Sequence, residues 1–314
     1  MRRRSFGLLL ILALLLAGCR AASRPQPGGQ RPLVTATATA TATPTSSPAA
    51  TPTATSAPTS PPIPTPPPIP IAAEAGWQLV WQDEFEGAAI DRSNWTFDLG
   101  GGGWGNGEAQ IYTDRPENVR LENGLLVIEA RKEPNETGGF KFTSARLKTQ
   151  GLQEFQYGRI EARMKVPAGA GTWPAFWMLG SNFSTVGWPD CGEIDIMEYI
   201  GREPNMIMGT LHGPGFSGAL GLTARSLQKE EIADAFHTYA VEWSAEQIRW
   251  FFDGEAYHTL TRADVGTDRW VFDQPFFMIL NLAVGGTLGG LISPDTPFPA
   301  NVYVDFVRVY QPTP

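Results

Sequence analysis

Three carboxylic acids occur close together in a stretch that is otherwise apolar. Glu193, Asp195 and Glu198 are interspersed with isoleucine and methionine, residue types that proteins usually bury. A charged group in such surroundings is costly unless it has a partner or a function. These acids are therefore candidates for chemistry. The alternative is a strand with a solvated acidic face.

The pattern of this stretch predicts a β-strand with one irregularity. Its β-branched residues favour a strand, in which Glu193 and Asp195 point to one face. Strict alternation would place Glu198 on the opposite face, with the isoleucines. A β-bulge near Met197 would add one residue and return Glu198 to the acidic face.

Two glutamates on one face suit the hydrolysis of a glycosidic bond. Retaining glycosidases use two carboxyl groups roughly 5–5.5 Å apart, one as nucleophile and the other as acid/base. Asp195, between Glu193 and Glu198, would raise the pKa of a neighbouring glutamate by like-charge repulsion or share a proton with it.

Composition limits the classes of function. The chain has 314 residues and a net charge of −8, which argues against nucleic acid as a partner because phosphate binding needs basic surface. It has two cysteines, Cys19 and Cys191. Cys19 lies in a predicted export signal, so the folded part has one thiol and no internal disulfide. We interpret Cys191 as a small buried hydrophobe.

The first 73 residues predict an exported and tethered protein. Residues 1–19 combine an arginine-rich start with a short apolar run, which indicates a signal peptide. They end in LAGC, which resembles the bacterial lipobox and predicts lipidation of Cys19; the alternative is an ordinary signal peptide with a chance cysteine. Residues 20–73 are rich in Thr, Pro, Ala and Ser and predict a disordered linker. We expect the protein at the outer face of a membrane.

Residues 74–312 predict one all-β domain. The strand signals are many, short and separated by turn signals, which is typical of a sandwich or jelly roll. The predicted strands cover residues 77–82, 108–112, 125–130, 157–166, 193–198, 207–212, 237–243, 248–254, 276–282 and 302–310. The glycine-rich residues 100–107 predict a loop. In residues 157–166 apolar and charged residues alternate, which predicts a sheet with one solvated face.

The chain resembles glycoside hydrolase family 16, and within it the laminarinase-like bacterial endo-β-1,3-glucanases. The resemblance covers nearly all of residues 77–311, and it rests on the order and number of short motifs. These are residues 81–85 (WQDEF), 104–108 (WGNGE), 157–163 (YGRIEAR), 173–179 (WPAFWML), 187–189 (GWP), 192–198 (GEIDIME), 279–286 (ILNLAVGG) and 304–310 (VDFVRVY).

The resemblance implies a concanavalin A-like β-jelly roll with an open cleft on its concave sheet. It implies retaining cleavage of internal β-glucan linkages, with Glu193 as nucleophile, Asp195 as assisting carboxylate and Glu198 as acid/base. It implies no cofactor for catalysis. The extra Met197 is similar to the laminarinase branch, whereas the lichenase branch has a regular strand, so we expect a preference for β-1,3-glucan.

The resemblance also suggests the residues that contact sugar. Aromatic faces stack on pyranose rings, and four tryptophans are candidates: Trp173, Trp177, Trp188 and Trp104. The alternative for each is a place in the core. Four polar residues match family positions near the cleavage point: Asn106, Glu108, Arg146 and His212. Their alternatives are ordinary loop polarity and, for His212, a satisfied core histidine.

Many family members carry a structural calcium away from the cleft. The resemblance suggests that the Asp305 side chain and backbone oxygens of Glu84 and Gly124 would hold it, which suits the oxygen preference of calcium. The alternative is that Asp305 caps the final strand. The chain departs from many relatives at residues 287–290 (TLGG), so one end of the cleft is expected to lack a subsite contact.

Several functions remain open at this point. The first is an endo-β-1,3-glucanase acting as a monomer on β-glucan such as laminarin. Others are a mixed-linkage β-1,3-1,4-glucanase, another polysaccharide hydrolase such as one for sulfated galactans, and a transglycosylase. A non-catalytic β-glucan-binding protein is disfavoured because it would not need Glu193, Asp195 and Glu198 together.

Overall fold

The computed structural model describes residues 76–313, and these form two β-sheets. The predicted signal peptide, the lipidation site Cys19, the linker and the first two residues of the predicted domain 74–312 lie outside the described residues. No helix in the described part of the chain is long and apolar enough to cross a membrane.

Seventeen strands build the sheets. They are β1 Trp77–Asp83, β2 Thr96–Phe97, β3 Gln110–Tyr112, β4 Val119–Glu122, β5 Leu125–Pro134, β6 Phe140–Ser144, β7 Arg146–Lys148, β8 Gly158–Lys165, β9 Thr172–Gly180, β10 Glu193–Tyr199, β11 Met206–His212, β12 Leu222–Leu227, β13 His237–Trp243, β14 Gln247–Phe252, β15 Glu255–Thr261, β16 Phe276–Val284 and β17 Ala300–Pro312. Helices are single turns: α1 Phe183–Val186, α2 Gly286–Gly289, and 3-10 turns at Gly218–Leu220, Ile232–Asp234 and Arg262–Val265.

The seven-stranded sheet has the order β12-β11-β10-β9-β16-β7-β2 and contains the acidic strand. The other sheet has ten strands, with the order β15-β14-β13-β8-β17-β5-β6-β3 and with β1 and β4 paired to β17 and β5. Apart from the parallel β3–β6 pair, the pairings within these sheets are antiparallel. The prediction of an all-β jelly roll is confirmed.

Buried apolar residues from both sheets form one large core cluster. Strand β16 is buried along its whole length, as expected for its continuous apolar run. On β10, Ile194 and Ile196 belong to this core and are at most 1% exposed. The opposite face of β10 is therefore free to line a cleft.

The turn before β5 shows how local sequence sets the strand order. Asn123 and Gly124 have φ values of 55° and 75°, the left-handed backbone that a two-residue hairpin needs. This turn pairs β4 with β5 in antiparallel register, as the Asn-Gly signal predicts.

The prediction of a solvated face on β8 is wrong. Every residue of the strand except the last is buried, including Arg159, Glu161 and Arg163. Arg159 pairs with Glu161 at 3.0 Å, and Arg163 pairs with Asp305 at 2.7 Å. The charged side chains pair with one another along the strand and with a neighbouring strand, so alternation here does not mean exposure to water.

Candidate active site

The three acids of β10 line one cleft because the strand contains the predicted bulge. Asp195 pairs with Trp177 on β9 and with Thr210 on β11, but the register then shifts on both sides before Glu198. Glu198 pairs with Ala175 and Met208. The extra residue returns Glu198 to the face of Glu193 and Asp195, and all three acids line a cleft of about 1060 Å³.

The cleft crosses the seven-stranded sheet from edge to edge. Its lining includes Arg225 on β12 at one side and Arg146 and Lys148 on β7 at the other, with Asp98 directly after β2. The acids lie between these two ends, on the third strand of the sheet order. A polymer can therefore extend past the acids in both directions.

Each acid has a protein partner of its own. Trp188 donates from Nε1 to Glu193 Oε2 at 2.6 Å, and Trp173 donates from Nε1 to Glu198 Oε1 at 3.1 Å. Asp195 Oδ2 lies 3.3 Å from His212 Nε2. Asp195 is 3% exposed and Glu198 9% exposed, so two of the acids are largely removed from water.

The carboxyl cluster retains protons at neutral pH. Burial, followed by the charge of Asp195, raises the pKa of Glu193 to about 8. Burial, followed by the charge of Glu193, raises the pKa of Glu198 to about 7. Burial and the charge of Glu198 raise the pKa of Asp195 well above its usual range. Because the acids interact, their protons titrate as properties of the whole cluster.

The four candidate tryptophans lie in the cleft lining with the acids. Trp173, Trp177 and Trp188 all line the cleft, and Trp188 is 46% exposed. The Trp188 ring also lies 6.1 Å from the His212 ring, centroid to centroid. Trp177 is fixed by a hydrogen bond from its Nε1 to Asn281 Oδ1 at 2.7 Å. These rings offer flat surfaces beside the reacting groups, which is what stacking on a sugar requires.

Arg146 lies between two of the candidate tryptophans. Its guanidinium carbon is 5.1 Å from the Trp104 ring centroid and 4.7 Å from that of Trp177. Its Nε is also 2.9 Å from Asp98 Oδ2, and Asp98 Oδ1 accepts Lys148 Nζ at 2.5 Å. The cations at this end are thus offset by Asp98.

Asn106 and Glu108 lie in the cleft lining at the same end. Glu108 accepts hydrogen bonds from three side chains: Asn106 Nδ2 at 3.1 Å, Gln110 Nε2 at 2.6 Å and the Tyr112 hydroxyl at 3.2 Å. Its oxygens are therefore engaged by the protein wall. A contact between Glu108 and sugar stays a prediction, as do the sugar contacts of the other candidates.

Sequence reasoning missed several residues of the cleft. Asn281 is the one polar residue in the apolar strand β16, and that isolation was a usable signal. Its Oδ1 accepts a hydrogen bond from Trp177 Nε1, and its Nδ2 donates one to the Tyr112 hydroxyl at 3.1 Å. Asp98, Lys148 and Arg225 gave no such signal, because exposed charges are common and their position at the cleft depends on sheet order. At the divergent loop, Thr287 and Leu288 do line the cleft.

Two groups of residues offer ligand atoms that could hold a metal ion. Glu193, Asp195 and His212 each place a ligand atom within 4.8 Å of the others, and Asp195 Oδ2, which lies 3.3 Å from His212 Nε2, is buried without a hydrogen bond. At the predicted calcium position, Asp305 Oδ2 binds Arg163 Nη1 at 2.7 Å, and the Glu84 side chain binds Arg308. One Asp305 oxygen thus binds a cation, and a calcium ion would take the other Asp305 oxygen together with backbone oxygens, the ligand type that calcium prefers.

The chain is similar to known proteins over most of the described residues. The family model for glycosyl hydrolases family 16 matches residues 106–306. A protein named beta-glucanase from Rhodothermus marinus is 46% identical over 248 residues, which cover 75% of this chain and 85% of that protein.

Two solved structures show the same architecture. An endo-β-1,3-glucanase from Pyrococcus furiosus is 48% identical with a TM-score of 0.72, covering 76% of this chain and 95% of that one. A laminarinase catalytic domain from Thermotoga maritima is 46% identical with a TM-score of 0.72, covering 76% of this chain and 100% of that one.

Proposed function

The chain belongs to glycosyl hydrolase family 16, and from that premise we propose that it is a retaining endo-β-1,3-glucanase. The observation that carries the proposal is the bulged strand β10, which brings Glu193, Asp195 and Glu198 to one face of a cleft. Because this cleft crosses the whole sheet, it accepts the interior of a polymer. The similarity to a laminarinase and to an endo-β-1,3-glucanase supports the choice of β-1,3-glucan.

In the proposed mechanism, Glu193 attacks the anomeric carbon while Glu198 protonates the leaving glycosidic oxygen. Glu198 then takes a proton from water, and that water releases the sugar with net retention. The nucleophile must be ionised and the acid must be protonated. We propose that Glu193 and Asp195 share one proton, since both pKa values are raised and interacting acids titrate together. In the reactive state this proton lies on Asp195, so that Glu193 is a carboxylate, which also accepts a hydrogen bond from the Trp188 indole.

Reducing-sugar release from laminarin, lichenan, agarose and carrageenan tests the function. We expect release from laminarin by the wild-type protein and loss of that release in Glu193→Gln. Release from lichenan alone would make the protein a mixed-linkage glucanase, and release from agarose or carrageenan would make it a galactan hydrolase. Binding of laminarin without release would establish a β-glucan-binding protein. Longer products in place of new reducing ends would indicate a transglycosylase.

We also propose that the protein is exported and anchored by a lipid on Cys19, with the domain acting as a monomer at the cell surface. The support is the LAGC sequence and the Thr/Pro-rich residues 20–73. We expect Cys19→Ser to move the protein from the membrane fraction to the soluble fraction of the producing cell. Retention of the variant in the membrane fraction would contradict lipid anchoring.

A structural calcium is a further proposal, supported by the family resemblance, with the Asp305 oxygen that does not bind Arg163 and the backbone oxygens of Glu84 and Gly124 as its ligands. Ligands that bind only the folded state raise the melting temperature. We expect calcium to raise the melting temperature of the wild-type protein relative to a chelator, and Asp305→Asn to reduce that difference. Identical melting curves in calcium and in chelator would contradict the site.

A further inference from the structure

A tryptophan from the opposite sheet contacts the catalytic strand from behind. Trp250 lies on β14 in the ten-stranded sheet and is fully buried. Its Nε1 donates a hydrogen bond of 2.8 Å to the backbone carbonyl of Asp195 on β10. Because β14 and β10 belong to different sheets, this buried bond joins the two sheets through the core.

The bond ends where the bulge begins. The register of β10 against both β9 and β11 is regular up to Asp195 and shifts immediately after it. A bulge locally disrupts the ladder of backbone hydrogen bonds, and a buried carbonyl needs a partner. The Trp250 indole supplies a donor at this point from outside the seven-stranded sheet.

Gly209 provides the space for this contact. It lies on β11 opposite the bulge, between the residues that pair with Asp195 and Glu198. A Cβ at position 209 would lie 2.3 Å from Trp250 Cδ1 and 2.6 Å from Trp250 Nε1. Any side chain there would displace the indole. The glycine and the tryptophan therefore form one arrangement behind the acids.

We propose that Trp250, with room made by Gly209, is a positioning residue that holds the bulge and so directs Glu198 into the cleft. Without the bulge, alternation would turn Glu198 toward the core side of the strand, where Ile194 and Ile196 lie. Trp250 touches neither the cleft nor sugar, and its effect passes through Glu198. This inference rests on the proposed function, in which Glu198 is the acid/base.

The experiment compares two substrates in Trp250→Phe, using the full chain. Laminarin has a poor leaving group and needs protonation by Glu198. A 2,4-dinitrophenyl β-laminaribioside has a leaving group that departs without a proton, so its kcat/KM does not depend on the acid. The ratio of the two kcat/KM values is independent of how much of the preparation is folded.

Trp243→Phe is the matched control. Trp243 lies on the neighbouring strand β13, is 2% exposed, and donates from Nε1 to a backbone carbonyl, that of Phe272, at 3.0 Å. It makes the same kind of bond away from β10. Both variants lose one buried indole donor, and thermal unfolding measures the cost of each to stability.

We expect Trp250→Phe to lower kcat/KM for laminarin about 10- to 100-fold, because small displacements of a catalytic group have effects of this size. The kcat/KM for the dinitrophenyl substrate should change less than about threefold, since its cleavage needs no general acid. Gly209→Ala should reproduce the selective loss, and Trp243→Phe should leave the ratio unchanged. If Trp250→Phe lowers kcat/KM equally for both substrates, or for neither, the positioning role is refuted while the proposed glucanase activity stands. A wild-type protein without laminarin hydrolysis would instead refute the proposed function.

Discussion

At the scale of single residues, substrates with different leaving groups distinguish the role of Glu193 as nucleophile from the role of Glu198 as acid/base. We expect Glu198→Gln to lower kcat/KM for laminarin by about 10²- to 10⁴-fold, the usual contribution of general acid catalysis. The dinitrophenyl substrate should keep its kcat/KM, and azide should raise its kcat by replacing the activated water. In Glu193→Gln both substrates should fail. Equal losses on both substrates in Glu198→Gln would assign it a different role.

The same cluster should make the fold less stable as the pH rises. Glu193 has an ordinary pKa of 4.5 and a pKa of about 8 in the folded protein. Its stabilisation is therefore fully present below about pH 4.5 and is lost as the pH rises through about 8. We expect the melting temperature of the wild-type protein to fall across this window more steeply than that of Glu193→Gln. Parallel curves for the two proteins would contradict a raised pKa in the cluster.

Asn281 illustrates which parts of the site the sequence could indicate. A lone amide in an apolar strand was visible, but its partner Trp177 is 104 residues away. We expect Asn281→Ala to raise KM for laminarin with little change in kcat, because it frees a ring that binds substrate rather than a reacting group. Steady-state kinetics on laminarin measure both constants. A fall in kcat at constant KM would place Asn281 in the chemical step instead.

At the scale of elements, the bulge in β10 is the feature on which the site depends. Deletion of Met197 would restore a regular strand and still leave all three acids on one face, since Glu198 would move up by one position. We expect this deletion to raise the rate on lichenan relative to laminarin, following the branch resemblance of the motif. Met197→Leu keeps both the bulge and the buried volume and is the control. An unchanged ratio in the deletion would remove the link between the bulge and linkage preference.

Strand positions were predictable, whereas the surroundings of their charged faces were not. The alternation in β8 correctly indicated a strand, yet its charged face is buried. Arg163 is covered by Asp305, 142 residues later, and Arg159 by Glu242, 83 residues later. Periodicity reports which residues share a face. It does not report what packs on that face, because the partners come from distant parts of the chain.

At the scale of the molecule, buried residues from the two sheets of the described part of the chain form one core. We expect residues 74–312, produced alone, to match the melting temperature and the laminarin kcat/KM of the full chain. The buried cysteine Cys191 is the one thiol of the described residues, so a reducing agent should not alter either value. A lower melting temperature for residues 74–312 would show that the N-terminal segment contributes to the fold.

The course of the cleft across the sheet has a consequence for measurement along a polymer. Neighbouring strands are about 4.7–4.9 Å apart, a spacing comparable to the length of one pyranose ring. A glucan laid across β7, β16, β9, β10, β11 and β12 therefore meets a new strand with roughly every sugar. Each of these strands then corresponds to about one sugar-binding position. Strand β10 divides the six strands unequally, with β9, β16 and β7 on one side and β11 and β12 on the other. On this geometry the number of strands on each side of β10 sets how many sugars the protein holds on that side of the cleaved bond.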